Sequence, residues 1–292
     1  MAEKRIIKDI LAKRAMFLLS LSGSLLILLI AVSLAARSSL ILGSKGLAEI
    51  LFSTKWYPSQ GLFGFAPFIA GTVWVTALAV VLAVPAALLF AIYLSDYARK
   101  KTREVVKPVL DLLGGISPVI FGVFGVLAIV PFVKSISGSY TGFSVLSAGI
   151  VLALMIFPTI TSVAEEVIHS VPQESRESSL ALGATKWETI KNVVLKKAGA
   201  GIVAAVILGL SRAFGETIAV LMVVGNVVHL PKSIFDAAYT LPALIANNYG
   251  EVMSIPLYDS ALLLAALILL VVTVSFNVAA WFILLKIESS YV

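Results

Sequence analysis

Long apolar runs separated by short polar segments dominate the chain from one end to the other. A helix needs about 20 mostly apolar residues to cross the hydrocarbon core of a bilayer. Six segments reach that length, and the short alternating segments of a membrane β-barrel are not seen. The pattern predicts six transmembrane helices, over residues 15–36, 66–94, 105–133, 143–163, 199–224 and 260–285.

The composition supports the same class. Of the 292 residues, 60% are hydrophobic and 13% are charged, with a mean hydropathy of +1.04, whereas soluble domains average about 25% charged residues. The predicted fold class is therefore all-α, a polytopic membrane protein. The chain has no cysteine, which excludes disulfides, thiolate metal sites and thiol nucleophiles. His169 and His229 lack the spacing of metal ligands, so no metal site is expected.

The lysines and arginines indicate how the six helices are oriented. Sixteen of them flank the helices on one side, before the first helix, in the 2–3 and 4–5 connections and after the last helix, and five lie on the other side. Positive charge favours the cytoplasm, so both termini are predicted to be cytoplasmic. The basic residues behind the net charge of +6 lie in short segments that flank the helices, where they set topology, and nucleic-acid binding is not expected. The first apolar run is longer than a signal-peptide core and is predicted to be a retained helix.

The connection between the fourth and fifth helices, residues 170–197, carries signals for two short helices joined by a turn. Ser170 is predicted to cap the first of them. Gly183 is a natural stop, because glycine enters the left-handed conformation without a steric penalty. Thr185 and Glu188 have the spacing of a capping box, which predicts the start of a second helix ending near residues 196–197.

Leu180, Leu182 and Trp187 cluster at the joint of this hairpin. Two interpretations of the joint are open. It is either part of an amphipathic pair lying on the membrane surface, or a docking element for a soluble cytoplasmic partner.

The hairpin sequence resembles the EAA loop of ABC importer permeases. The family pattern is Glu-Ala-Ala, three residues, Gly, nine residues, then Ile-x-Leu-Pro. Glu177 and Gly183 match it, and Val193 and Leu195 follow at the expected spacing. Two serines replace the alanines and Lys196 replaces the final proline.

This resemblance implies a MetI-like ABC type I importer permease fold. The permease core would span residues 66–286, with an added first helix within 1–65 and a tail at 287–292. The hairpin would dock on a homodimer of ATP-binding cassette subunits. ATP and Mg would bind there, because this chain has no phosphate-binding loop and no cofactor of its own is expected. The residues that the resemblance assigns to this coupling are Glu177, Ser178, Ser179, Leu180, Gly183, Ala184 and Trp187.

Two opposite charges, Arg212 and Glu216, lie in the middle of the fifth apolar run. A charge at that depth costs at least ~2.5–3.5 kcal/mol on insertion scales, so such charges usually face a partner or a substrate path. In a continuous helix, positions four apart lie about 40° from each other, which predicts that the two charges share a face. A neighbouring stripe of small residues predicts close helix packing: Gly201, Ala205, Gly209 and Ala213.

Three interpretations of the charges are open: a structural ion pair, a proton relay, or an anion path in which Glu216 balances Arg212 when no anion is present. Arginine suits the last of these, because its planar fork donates paired hydrogen bonds to oxyanions.

The string from Ser211 to Thr217, Ser-Arg-Ala-Phe-Gly-Glu-Thr, is similar to phosphate-specific permeases of the ABC family, of the PstC type. This resemblance implies a prokaryotic cell-membrane permease that imports phosphate with a sister subunit of the PstA type and an external phosphate-binding protein. The residues expected along the substrate path are Arg212, Glu216, Thr217, Ser211 and Asn226.

Other functions remain open. The chain could be a PstA-type sister subunit or a permease for molybdate or sulfate. An ion-coupled secondary carrier would show matching broken helices in two repeated halves, and no such repeat is evident. A membrane enzyme would need a metal cluster or a nucleophile–base pair, and the sequence shows neither.

Overall fold

The computed structural model describes residues 2–138, 141–249 and 257–289. The first half of the chain begins with α1 (Ala2–Ser44) and α2 (Leu47–Phe52), followed by a two-stranded hairpin, β1 (Trp56–Tyr57) and β2 (Leu62–Phe63). Four helices follow: α3 (Ala66–Ile92), α4 (Lys100–Gly115), α5 (Pro118–Phe124) and α6 (Val130–Ser137).

The second half begins with α7 (Val145–His169), α8 (Gln173–Ala181), α9 (Lys186–Thr189) and α10 (Leu195–Gly215). It continues with α11 (Ile218–Val223), α12 (Leu241–Asn248) and α13 (Tyr258–Ser289). Three π-helical turns extend or join helices: Tyr93–Tyr97, Gly125–Ile129 and Ile190–Val194.

Six stretches of the described residues are long and apolar enough to cross a membrane, which confirms the predicted number of spans. They are Leu11–Ser44, Ala66–Tyr97, Pro118–Ser137, Val145–His169, Lys186–Gly215 and Tyr258–Ala279.

The fourth span, α7, lies at the centre of the core and packs against α3 and α10. The predicted small-residue stripe on α10 forms this contact. A Cβ added to Gly201 would lie 2.3 Å from a methyl group of Val167, and one added to Gly209 would lie 2.4 Å from Ile160. Ala205 and Ala213 are buried in the same interface. The prediction of close packing by this stripe is therefore confirmed.

The third predicted span, residues 105–133, begins too early and is interrupted: only Pro118–Ser137 is long and apolar enough to cross a membrane, and residues 105–115 belong to α4. The chain leaves the helix at Ile116 and Ser117, both extended, and re-enters it at Pro118. Proline disfavours the helical conformation of the residue before it, which accounts for the break. Gly114, at the end of α4, lies beside Thr159 of α7, since both contact Arg212.

The fifth predicted span is also broken, so the prediction of a continuous helix over 199–224 is wrong. Helix α10 ends at Gly215, Glu216 is extended (φ −72°, ψ 125°), and α11 starts at Ile218. Both halves are apolar, and hydrophobicity alone does not mark a change of backbone direction.

The hairpin between α7 and α10 differs from the prediction in two respects. Helix α8 begins after Pro172 without a side-chain cap, because the Ser170 hydroxyl donates to the Val167 carbonyl of the preceding helix instead. The second helix does not end near residues 196–197 but runs through the Ile190–Val194 π-turn into α10. The capping box of Thr185 and Glu188 is confirmed.

The side of the molecule away from the hairpin is closed by loops and aromatic residues. Trp56 packs against Phe63, Phe65, Phe68 and Tyr258. The loop after α11 covers the start of α7: the Val145 and Leu146 amides donate to the carbonyls of Asp236 and Ile234.

Candidate functional site

Arg212 joins three helices at the level of the two breaks. Its Nη1 donates to the Thr159 hydroxyl of α7 at 2.7 Å, and its Nη2 donates to the Gly114 carbonyl at 3.2 Å. Gly114 lies in the last turn of α4, where carbonyls lack partners within the helix and the helix dipole attracts a cation. The break at 116–117 therefore supplies an acceptor for the arginine.

Glu216 makes a different set of contacts. Its Oε1 accepts from the amides of Ile218 and Ala219 at 3.1 and 3.2 Å, and so caps the start of α11. Among the described residues, no carboxylate lies within 4.0 Å of the Arg212 guanidinium. The predicted shared helical face of Arg212 and Glu216 is wrong, because the break after Gly215 rotates Glu216 away from α10.

A small cavity adjoins Glu216, with a volume of about 10 Å³. Thr72 and Thr76 of α3 and Thr240 at the start of α12 supply its polar lining. The Thr240 hydroxyl is buried and has no hydrogen-bond partner among the described atoms. A space of this size and polarity is close to what a single water molecule requires. Residues from α3, α10 and α12 therefore meet at the break.

The other predicted path residues lie at or beyond this break. The buried Ser211 hydroxyl has no partner within the described structure, and the Thr217 hydroxyl faces the Gly215 carbonyl at 3.4 Å. Asn226 lies past the end of α11, where it adopts a positive φ of 53° and donates to the Leu221 carbonyl at 2.8 Å. Ser211, Arg212, Glu216 and Thr217 therefore lie in one short segment at the break, whereas Asn226 lies beyond α11.

Polar residues that the sequence interpretation missed connect α4 to α7 on the hairpin side of Arg212. Ser162 donates to the Asp111 carboxylate at 3.1 Å. The buried Glu165 carboxylate pairs with Arg103 at 2.5 Å and with Lys107 at 3.3 Å. A signal existed for Asp111, since it is a charged residue within the third predicted span.

The joint of the hairpin is a tight turn at Gly183 with exposed apolar side chains around it. Gly183 turns the chain with a φ of +87°, a conformation that favours glycine. Leu182 is 90% exposed, and Leu180 and Trp187 are about half exposed.

The remaining predicted coupling residues lie around this joint. Glu177 is exposed, Ala184 is half-buried, and the Ser178 hydroxyl donates to the Glu174 carbonyl at 2.7 Å. The Ser179 and Thr189 hydroxyls are 3.0 Å apart and tie the two arms of the hairpin together.

Known proteins resemble this chain over most of its length. It is 39% identical to a probable ABC transporter permease protein, YqgH, of Bacillus subtilis, over 85% of this chain and 84% of the relative. It is 35% identical to the phosphate transport system permease protein PstC of Xylella fastidiosa, over 93% of this chain and 90% of the relative.

Solved structures support the predicted fold. The inward-facing MetNI methionine ABC transporter gives a TM-score of 0.59 at 21% identity, covering 74% of this chain and 93% of that one. A bacterial ABC transporter involved in alginate import gives 0.57 at 16% identity, over 76% of this chain and 79% of the other. The MetI-like ABC permease fold predicted from the sequence is confirmed.

The family model of the binding-protein-dependent transport system inner membrane component matches residues 83–284, which include α7, the hairpin and both sides of the break in the fifth span. Proteins of this kind are permease subunits rather than enzymes, and they work with a separate ATPase and a substrate-binding protein. The chain is thus a multi-pass inner-membrane permease subunit and belongs to the family of binding-protein-dependent transport system inner membrane components.

Proposed function

We propose that this chain is a membrane subunit of an ATP-driven phosphate importer and that Arg212 contacts the anion during its passage. Relatives named as phosphate permeases, 35% identical over 93% of the chain, support phosphate as the cargo. The observation that carries the role of Arg212 is its position beside the two backbone breaks, at the start of the third span and the end of the fifth, where neutral groups hold it.

The partners of Arg212 favour an anion contact over a structural ion pair. Its guanidinium donates to a hydroxyl and to a carbonyl, and among the described residues no carboxylate neutralises it. Hydrogen bonds from arginine to a charged oxyanion are stronger than those to neutral acceptors. An arriving phosphate can therefore replace Thr159 and Gly114 as the acceptor of the Arg212 hydrogen bonds. These two acceptors can bind the guanidinium again when the anion leaves.

The partners of the chain follow from this function. An external phosphate-binding protein delivers the anion, and a sister subunit of the PstA type completes the pathway. A homodimer of ATP-binding cassette subunits, carrying ATP and Mg, binds the hairpin. The exposed joint of Leu180, Leu182 and Trp187 supports this docking, because clustered exposed apolar residues mark interaction surfaces.

Phosphate uptake by the complete complex in vesicles tests this proposal. Arg212→Ala is expected to lower uptake by roughly ten- to a hundredfold, since hydrogen bonds to charged groups contribute about 1.5–3 kcal/mol. Arg212→Lys keeps the charge without the fork and is expected to fall between Arg212→Ala and the unsubstituted chain.

Unchanged uptake in Arg212→Ala would reject the path role. Inhibition of labelled phosphate uptake by unlabelled sulfate or molybdate, at concentrations equal to phosphate, would instead identify a permease for another oxyanion.

A further inference from the structure

The hairpin has two arms, α8 before Gly183 and α9 after it, and both contact the same turn at the end of the second span. This turn is the π-helical segment Tyr93–Tyr97, which continues α3. From the first arm, the Arg176 guanidinium pairs with the Asp96 carboxylate. The same guanidinium donates through Nη2 to the Ile168 carbonyl of α7 at 2.7 Å.

The second arm reaches the same turn through Lys186. Its ammonium donates to the backbone carbonyl of Asp96 and lies over the Tyr97 ring, 4.5 Å from the ring centre. An ammonium in that position is attracted by the face of the ring. Residues on both sides of Gly183 therefore fix the hairpin to α3.

The pair between the first arm and the turn is largely shielded from water. The side chains of Arg176 and Asp96 are 13% and 6% exposed. Separating a buried pair leaves an uncompensated charge, which is strongly unfavourable. The hairpin and the end of α3 are therefore expected to move together rather than to slide past each other.

Helix α3 carries such a movement to the break in the fifth span. It runs as one helix from the π-turn back to Thr72 and Thr76, which line the small cavity with Glu216. At the same level, Gly71 packs so closely against the backbone of Tyr239 that an added Cβ would lie 2.5 Å from the Tyr239 carbonyl oxygen.

We propose that Asp96, Arg176 and Lys186 form a hairpin clamp. These positioning residues make the hairpin and α3 one mechanical unit, so that a displacement of the hairpin reaches the Glu216 cavity. The inference rests on the proposed docking of the ATPase at the hairpin joint. It does not depend on which anion is carried.

The absence of cysteine from the chain allows a direct test with the double variant Asp96→Cys/Arg176→Cys. The variant is assembled with its partner subunits, and ATP hydrolysis and phosphate uptake are measured before and after bridging with a short bifunctional thiol reagent. Without the bridge, hydrolysis is expected to persist while uptake per ATP falls at least tenfold. With the bridge, which replaces the ion pair by a covalent link, uptake is expected to return.

Two single variants and a control complete the test. Asp96→Asn is expected to lower uptake per ATP, and Arg176→Lys, which keeps the charge, is expected to retain most of it. Ser175→Ala is the matched control: the Ser175 hydroxyl accepts from Lys197 at 2.7 Å on the exposed side of α8, outside the clamp. Its uptake per ATP is expected to stay unchanged.

Three results would overturn the clamp. Bridging that stops ATP hydrolysis would show that the contact must open, and an unbridged variant with unchanged uptake per ATP would show that it carries no motion. Parallel loss of hydrolysis, uptake and assembled complex would show a merely structural role. If the unsubstituted complex imports no phosphate, the proposed cargo fails, whereas the effect of bridging on hydrolysis still tests the clamp.

Discussion

At the scale of single residues, the structure gives Glu216 a role that the sequence did not predict. Its carboxylate caps α11 by accepting from the Ile218 and Ala219 amides. Glu216→Gln keeps an oxygen that can accept these bonds, so uptake and thermal stability are expected to change little. Glu216→Ala removes the cap and is expected to cost about 0.5–2 kcal/mol of stability, with a loss of uptake. If Glu216 instead balances the charge of Arg212, Glu216→Gln will impair uptake as much as Glu216→Ala does.

Single residues also show which features of the candidate site could be predicted from the sequence and which could not. A charge in an apolar run is visible from composition alone, and this located Arg212 and Glu216. Their partners were not visible, because Thr159 and Gly114 lie 53 and 98 positions from Arg212 along the chain. The expected shared face of the two charges failed because it assumed a continuous helix through Gly215.

At the scale of the elements, spans were predictable from hydrophobicity and the breaks in them were not. The break before the third span carried signals in Gly114, Gly115 and Pro118, whereas the break at Glu216 is preceded by a single glycine, Gly215. The capping box of Thr185 and Glu188 was found because it uses local spacing only. The second arm of the hairpin was predicted too short, since Lys196 and Lys197, near its expected end, lie in the first turn of α10, into which this arm continues.

The contact between α10 and α7 gives a prediction with a matched control. A Cβ at Gly201 would lie within 3.0 Å of three side-chain carbons of Val167, including its Cβ, so rotating that side chain cannot relieve the clash. Gly201→Ala is expected to destabilise the protein by about 1–3 kcal/mol. Gly199, in the same helix, has nothing within 4 Å of an added Cβ. Gly199→Ala is expected to leave the thermal midpoint in detergent unchanged or raised, and equal midpoints for both variants would contradict this packing.

At the scale of the whole molecule, the orientation in the membrane remains a prediction from the distribution of lysine and arginine. Leu182 follows the end of α7, whereas Lys232 lies in the loop that covers its start. Helix α7 has 25 residues and is about 37 Å long at 1.5 Å per residue, so the two positions are expected to lie on opposite sides of a bilayer. Both side chains are exposed, so a cysteine at either position is expected to react with a membrane-impermeant maleimide.

In right-side-out vesicles, Lys232→Cys is expected to be labelled at once, and Leu182→Cys only after the membrane is opened. Adding the ATPase subunits is then expected to protect Leu182→Cys and not Lys232→Cys, because only the hairpin joint is covered. Labelling of Leu182→Cys in sealed vesicles would reverse the predicted orientation. It would also place the hairpin clamp on the side that the ATPase cannot reach, so the proposed transmission of motion through α3 requires the predicted orientation.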